Sequence, residues 1–272
     1  MKERKEFYRY LIAEEKSRAT VEKYTRDVDS FLKFAEGKEL KKTLVLEYKQ
    51  ELINNYAPAS VNSMLVAINC YFSFIGRDDC KVKQIKIQRQ LFVQEEKELT
   101  KEEYHRLLNV AKDTRIGAVI QTICGTGIRV SELSYITVEA VNTGKATVRC
   151  KNKTRIIFIP GQLQKLLKKY IKKAGITAGS VFVTKSGKPL DRSNIWKQMK
   201  ALCNKAGVSE KKVFPHNLRH LFARIFYSIE KDIVRLADLL GHSSINTTRI
   251  YTVECGIVHL RCMDKVNALL TT

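Results

Sequence analysis

Long apolar segments are missing from this chain of 272 residues. The sequence nowhere holds the run of about 18 or more apolar residues that a membrane-spanning helix needs, so we expect no membrane association. Residues 1–18 are charged throughout and lack the apolar stretch of a secretory signal peptide. We therefore expect a cytoplasmic protein.

Cysteine pairs suited to a metal or a disulfide framework are also missing. The seven cysteines are scattered and odd in number, and none forms a CxxC pair. This pattern predicts reduced thiols rather than a structural zinc site or disulfide bonds. The larger, C-terminal part of the sequence has no acidic cluster of the kind that holds Mg²⁺, so we expect neither a metal nor a cofactor.

Acidic residues are scarce beside basic ones: 28 Asp and Glu stand against 49 Lys and Arg, a net charge of +21. Residues 1–90 hold 18 basic and 13 acidic residues (+5), whereas residues 91–272 hold 31 and 15 (+16). Such an excess indicates a polyanionic partner, although ribosomal and membrane-surface proteins share it. We expect nucleic acid as the partner, attracted mainly by the larger part.

The apolar pattern divides the chain into two folded parts. Residues 1–76 carry apolar residues at helical spacing and predict a small all-helical domain. Residues 77–97 are polar and basic without a helical stripe, which predicts a linker, and residues 98–272 predict a second domain with a C-terminal tail. Within it, the β-branched stretches 145–150 and 154–159 predict a hairpin. The predicted fold class is mainly α with a small antiparallel β-sheet.

Several local features follow from capping and breaking residues. Thr100 followed by Glu103 is a capping-box pattern ahead of a helix. Other predicted elements are a helix over 62–75 after a break at Pro58, a helix over 129–135, a short strand over 181–183 and a last helix over about 256–270.

Three short stretches contain arginines and histidines that could bind an anion. They are GTGIRVSEL at 125–133, PHNLRH at 215–220 and LGHSSINTTRIY at 240–251. Arg129 follows a glycine turn. His216 and Arg219 are three residues apart and project from one helix face. His242 follows Gly241, which predicts a loop at a helix end. Two arginines and two histidines in such places form a plausible phosphate cradle.

Each stretch alone leaves a structural alternative open. Gly125-Thr126-Gly127 also suits a plain turn, and it lacks the further glycines and the Gly-Lys-Ser/Thr ending of a nucleotide loop. Histidines near arginines arise by chance in a basic chain, and Tyr251 is one of eleven tyrosines, any of which can serve packing.

Taken together and in order, the stretches resemble the Arg … Lys … His-x-x-Arg … His … Tyr signature of the tyrosine site-specific recombinases, the phage-integrase family. LLGHSSINTTRIYT resembles the last motif, GTGIRVSEL the first arginine motif, and HNLRH the central box. Residues 1–76 resemble the family's N-terminal helical, SAM-like DNA-binding domain. By the same resemblance, residues 98–272 are the catalytic domain, with an α+β fold.

The resemblance implies a role for each matching residue. Arg129 and Arg219 bind the scissile phosphate, assisted by His216 and His242, and Tyr251 is the nucleophile. His216 is the expected general base. The family's catalytic lysine lies in a β-hairpin and acts as the general acid. In this chain the corresponding stretch, residues 150–155, reads CKNKTR and is one residue shorter than the family pattern. The catalytic lysine is therefore Lys151 or Lys153, and an alignment that matches Arg155 to the arginine of the pattern favours Lys151.

The resemblance also implies an activity and partners. We expect a site-specific recombinase or integrase that cuts and rejoins DNA through a 3′-phosphotyrosyl bond, without metal or ATP. Its expected partners are double-stranded DNA with inverted-repeat core sites and further copies of the chain, four on two sites. Residues 221–227 look more like recombinases of mobile elements than like chromosome-dimer resolvases. The alternatives are a type IB topoisomerase and a catalytically inactive DNA-binding protein.

Overall fold

The computed structural model describes residues 2–87, 95–150, 153–184, 186–251, 263–268 and 270. The chain divides into two compact units, Met1–Gln90 and Leu91–Thr272. Each unit has its own apolar core. Among the described residues, none of the helices combines the length and the apolarity that a membrane span requires.

The described part of the first unit contains four α-helices. They are α1 (Lys2–Ala13), α2 (Arg18–Phe34), α3 (Lys42–Asn55) and α4 (Pro58–Phe74). Aromatic rings fill the space between them: the ring of Phe31 meets that of Tyr48 at 5.3 Å and that of Phe72 at 5.5 Å, both edge to face. Helix α4 begins at Pro58, four residues earlier than predicted, because proline suits the first position of a helix, where no partner for its nitrogen is needed.

Residues 78–85 pack on the first unit, although their composition predicted a linker. Cys80 and Val82 are buried in its core. The Asn69 side chain donates to Val82 O at 2.8 Å and accepts from Val82 N at 3.1 Å, and Asn62 does the same for Ile85 at 2.8 and 2.7 Å. Two amide side chains thus act like a neighbouring strand. Residues 88–94 of the predicted linker lie outside the described residues.

The second unit is mainly helical around one hairpin. Its helices are α5 (Lys101–Val110), α6 (Arg115–Thr126), α7 (Val138–Thr143), α8 (Gly161–Ala174), α9 (Arg192–Ala206), α10 (Pro215–Glu230), α11 (Ile233–Leu240) and α12 (Ile245–Thr248). The strands β1 (Lys145–Cys150) and β2 (Lys153–Phe158) pair antiparallel, with Lys145 opposite Phe158. The predicted fold class is therefore confirmed, as is the capping box at Thr100.

Two local predictions need correction, and a third is only partly covered by the described residues. The helix predicted over 129–135 is a 3₁₀ turn, Val130–Tyr135. The strand predicted over 181–183 is reduced to an isolated bridge between Val183 and Pro189, although Val181 and Phe182 each make one backbone hydrogen bond, with Ile136 and Leu190. Of the last predicted helix, residues 263–268 are helical, whereas residues 252–262 lie outside the described residues.

Candidate active site

Arg129 is presented by a left-handed turn at the end of α6. Gly127 has a φ of 63°, and a Cβ there would lie 2.5 Å from Phe222 Cδ1, so a side chain does not fit. Ile128 then anchors the turn in the core, which leaves the Arg129 side chain 41% exposed. Its Nη2 donates to Gly241 O at 3.3 Å.

A buried carboxylate, Glu132, holds two arginines. Its Oε1 accepts from Arg129 Nη1 at 3.1 Å, and its Oε2 accepts from the Arg129 amide at 3.0 Å and from Arg155 Nη2 at 2.5 Å. Burial alone would raise the pKa of Glu132, but the Arg129 amide and the charge of Arg155 overcome this effect and hold the pKa below its usual value. The carboxylate is therefore ionised at neutral pH.

Arg219 lies deeper than Arg129, with only 2% of the residue exposed. Its Nη1 donates to Gly127 O, and its Nη2 donates to Leu240 O at 2.7 Å and to His242 Nε2 at 3.1 Å. Burial and then the charge of Arg129 lower the pKa of Arg219 from 12.5 to about 10. The guanidinium stays charged at neutral pH, and the two carbonyls fix its plane.

His242 occupies the turn after α11 and supports Arg219. Because a guanidinium has only donors, His242 Nε2 must accept, and the ring proton belongs on Nδ1, 2.8 Å from Thr248 Oγ1. Burial and then the charge of Arg219 lower the pKa of His242 from 6.5 to about 4. In this arrangement His242 is neutral and orients an arginine rather than adding a positive charge of its own.

Tyr251 ends the 3₁₀ turn Arg249–Tyr251, which continues from α12. The residue is 4% exposed and packs in a small apolar cluster with α10 and α11. Its ring meets His220 edge-on at 4.7 Å and stacks near His242 at 6.0 Å. The side chain also interacts with the Arg219 guanidinium. The predicted nucleophile therefore lies beside the predicted phosphate ligand.

His216 stands at the start of α10, next to an open cavity of about 360 Å³. Its ring lies 4.5 Å from that of His220. Partial burial, together with the charges of Arg219 and Arg129, lowers the pKa of His216. The cavity is lined by Ile128, Arg129, Val130, Ser131, Arg192, Trp196, Phe214, Pro215, His216 and Arg219.

The hairpin lysine is not located by the structure. Lys151 lies outside the described residues. The backbone of Lys153 begins β2 opposite Cys150. The choice of Lys151 over Lys153 stays a prediction.

Five of the six predicted site residues come together in the second unit: Arg129, His216, Arg219, His242 and Tyr251. The structure adds neighbours that the motifs did not single out, namely Arg155 on Glu132, His220 on the tyrosine ring and Thr248 on His242. His220 had a signal in the sequence, since it follows His216 by one helical turn.

The site is a positively charged cradle for an anion. Glu132 pairs with Arg129 and Arg155, whereas the buried Arg219 has no carboxylate partner among the described residues. Since Arg129 and Arg219 both line the cavity, a net positive charge faces it. Such a charge, held in place before the reaction, stabilises negative charge that develops on a phosphate. In the described parts of the chain, no group of three or more His, Cys, Asp or Glu side chains is arranged to hold a metal ion.

Comparison with known proteins identifies the family of this chain. Residues 97–254 match the Phage integrase family, and residues 5–78 match the Phage integrase, N-terminal SAM-like domain. The tyrosine recombinase XerA of Thermococcus kodakarensis is 33% identical over 268 residues, which cover 94% of this chain and 92% of that protein.

Two solved structures have the same architecture. A crystal structure of XerA recombinase is 28% identical, with a TM-score of 0.54 over 98% of both chains. A lambda integrase dimer bound to a COC′ core site shares the fold at 16% identity, with a TM-score of 0.73 over 90% of this chain and 92% of that chain. A helical unit followed by a second unit with a tyrosine among arginines and histidines defines the integrase class. The chain belongs to the phage integrase family, so the resemblance carried by its three motifs is confirmed.

Proposed function

We propose that this chain is a site-specific DNA recombinase or integrase that cuts and rejoins strands through Tyr251. The observation that carries the proposal is the position of the Tyr251 ring, between two imidazoles and beside the buried Arg219. A packing tyrosine needs no guanidinium beside its side chain. Membership of a family whose relatives are named tyrosine recombinases supports the same activity.

The reaction is phosphoryl transfer with a covalent intermediate. The Tyr251 oxygen attacks the scissile phosphorus, the bond to the 5′ oxygen breaks, and a 3′-phosphotyrosyl bond and a 5′-hydroxyl result. The hydroxyl of a partner strand then attacks this bond and releases the tyrosine. Because the phosphodiester energy is kept in the covalent bond, the reaction requires no ATP, and we propose that it proceeds without metal.

The roles within the cradle follow from charge and protonation. Arg129 and Arg219 neutralise the phosphate oxygens, and one such donor is worth roughly 3–4 kcal/mol in comparable sites. His216 takes the tyrosine proton, and its lowered pKa keeps it in the neutral form that a base requires. His242 holds Arg219 in position. A hairpin lysine, for which we favour Lys151, protonates the leaving 5′ oxygen.

The substrate is double-stranded DNA with inverted-repeat core sites. The charge of +16 in residues 91–272 suits a phosphate backbone. We propose two protomers on each core site and a tetramer across two sites, acting in the cytoplasm, and we favour a mobile element as the source. A type IB topoisomerase would relax DNA without exchanging strands, and an inactive DNA-binding protein would do neither, so an assay of exchange between two sites separates the three activities.

The change Tyr251→Phe tests the nucleophile. It removes one oxygen and almost no volume, so folding and DNA binding should persist while the covalent complex disappears. The substrate is a nicked duplex from which the short cleaved strand diffuses away, so that the wild-type adduct accumulates on a denaturing gel. Peptide mapping should place that adduct on Tyr251. An adduct on another residue, or one that persists in the variant, would overturn the assignment.

Sulfur at the 5′-bridging position tests the hairpin lysine. A thiolate leaves without a proton, so this substrate should restore cleavage to a variant that lacks only the general acid. We expect Lys151→Ala to cleave ordinary DNA at least about a hundredfold more slowly and to recover on the sulfur substrate. Lys153→Ala is the matched control, and recovery of that variant instead would move the role to Lys153.

A further inference from the structure

Arg155 reaches from the hairpin to the 3₁₀ turn that holds Glu132 and to the last turn of α11. It lies on β2 opposite Val148. Its Nη2 is 2.5 Å from Glu132 Oε2, and its Nη1 donates to Leu239 O at 2.7 Å. Only 14% of the Arg155 side chain and 5% of the Glu132 side chain are exposed. These are therefore well-shielded contacts rather than surface contacts.

Arg129 makes a parallel set of contacts. It bonds the other oxygen of Glu132 through Nη1 and the carbonyl of Gly241 through Nη2. Both arginines thus connect Glu132 to the end of α11, one through Leu239 and the other through Gly241. The turn also rests on the Arg155 stem, since a Cβ at Gly241 would lie 2.5 Å from Arg155 Cδ.

The two arginines differ in whether their side chains are exposed to the cavity. The Arg129 side chain is 41% exposed and lines the cavity, whereas Arg155 does not line it. A buried carboxylate needs compensating charge. If Arg155 were absent, Arg129 would be the one cation among the described residues still in contact with Glu132. Pairing through both carboxylate oxygens would then draw its guanidinium away from the cavity.

We propose that Arg155 is a positioning residue that balances Glu132 and so leaves Arg129 free to bind the scissile phosphate. The inference rests on the proposed function of Arg129. It assigns Arg155 no contact with DNA. Its effect is transmitted by the Glu132 carboxylate, and the charge of that carboxylate is the quantity to vary.

The first arm of the test compares two substrates. In a methylphosphonate, a methyl group replaces one non-bridging oxygen, so the scissile group is neutral and needs less cationic stabilisation. Arg155→Met should slow formation of the Tyr251 adduct about a hundredfold on the ordinary phosphate, and this deficit should shrink at least tenfold on the methylphosphonate. A defect of folding alone would be equal on both substrates.

The second arm removes the carboxylate charge. Glu132→Gln combined with Arg155→Met leaves no buried anion to capture Arg129, so the double variant should form the adduct faster than Arg155→Met alone. Arg115→Met is the matched control. Arg115 is also a partly buried arginine bonded to a backbone carbonyl, Val183 O at 3.0 Å, and among the described residues it bonds neither Glu132 nor Arg129. Its rate ratio between the two substrates should equal that of the wild type.

The outcomes distinguish the proposed function from the role of Arg155. Adduct formation by the wild type and its loss in Tyr251→Phe establish the proposed function first. The Arg155 proposal stands if the methylphosphonate narrows the deficit and the double variant is faster, and it is overturned if either result fails. Rescue by 5′-bridging sulfur in place of methylphosphonate would also overturn it, because Arg155 would then act on the leaving group. If Arg155→Met does not fold, Arg155→Gln takes its place, since its amide can still donate a hydrogen bond but carries no charge to balance Glu132.

Discussion

The imidazoles beside Tyr251 are held in the neutral form by their surroundings. Burial is the main cause for both His220 and His242, and nearby charges add to it: His216 and Arg224 for the first, Arg219 and Arg129 for the second. The Nε2 of His220 is buried without a hydrogen-bond partner in the described part of the chain. A proton on either ring would place a second cation next to an arginine. The site therefore keeps its positive charge on guanidinium groups and its imidazoles neutral.

This arrangement predicts how the stability of the free protein depends on pH. The pKa of both His220 and His242 is lowered from 6.5 to about 4. Between these values the unfolded chain binds protons that the folded chain does not, so stability is complete above about pH 6.5 and falls as the pH drops toward 4. After allowance for partial exposure, we expect a loss on the order of 1–2 kcal/mol for each histidine.

Thermal unfolding between pH 7.5 and 4.5 measures this loss. His220→Gln and His242→Gln should each flatten the decline of the melting temperature over this range. His105→Gln, at an exposed position on α5, is the control and should leave the decline as in the wild type. A decline that neither site variant reduces would contradict the assignment of neutral imidazoles.

At the scale of single residues, the sequence predicts the residues of the motifs but not the side chains that hold them in position. Arg129, His216, Arg219, His242 and Tyr251 could be found because short local spacings identify them. The partners of Arg155 lie 23 and 84 residues away along the chain, at Glu132 and Leu239. No local pattern encodes contacts over such separations, which exist only after the hairpin, the Arg129 turn and α11 have packed together.

At the scale of elements, the site is built where helices end. The ends of α6 and α11 are glycines in the left-handed region, Gly127 and Gly241. Each is followed within two residues by a side chain of the cradle. These glycines do more than end their helices, because each turn places a backbone carbonyl where an arginine can bond it. Gly127 O accepts from Arg219, and Gly241 O accepts from Arg129.

Gly241→Ala tests the close packing of one such end. Alanine in the left-handed region costs about 1 kcal/mol or slightly more, and the new Cβ would also meet Arg155 Cδ at 2.5 Å. Since that side chain holds Glu132, we expect formation of the Tyr251 adduct to slow at least about tenfold, as small displacements at a reacting centre do.

Gly175→Ala is the matched control for that substitution. Gly175 ends α8 with a φ of 65°, against 64° at Gly241, and nothing lies within 4 Å of its Cβ position. Gly175→Ala should lose only the stability that the left-handed backbone costs, and Gly241→Ala at least as much in denaturant unfolding, while only Gly241→Ala loses rate. Equal rates in both variants would show that the contact with Arg155 does not matter to the reaction.

Elements were predicted best where apolar spacing and capping agree. The hairpin and the helix after Thr100 follow such signals directly. Residues 78–85 were not predicted, because their polar composition hides the two features that fix them: the burial of Cys80 and Val82, and the amide pairs from Asn62 and Asn69. Those pairs depend on α4 being in place and have no local signature.

At the scale of the whole molecule, positive charge is concentrated on the part that holds the cradle. Residues 91–272 carry +16 of the total of +21. Arg192 and Trp196, both exposed on α9, line the cavity with Arg129, His216 and Arg219. The charge of Arg192 is near enough to contribute to the lowered pKa of His216. The cavity therefore extends the positive surface beyond the two arginines of the motifs.

The last prediction concerns the salt dependence of DNA binding by the full chain. Each neutralised phosphate releases condensed counterions, so the logarithm of affinity should fall linearly with the logarithm of salt concentration, by about 0.9 per phosphate contact. The Tyr251→Phe protein allows equilibrium measurement without covalent capture. We expect a slope on the order of −5 or steeper.

Arg192→Gln removes one cation at the cavity and should make the slope shallower by about one. Trp196→Phe keeps the charge and should leave the slope unchanged, whatever it does to affinity. A flat response would remove the electrostatic basis of binding, and an unchanged slope in Arg192→Gln would show that the DNA backbone does not pass this side of the cavity.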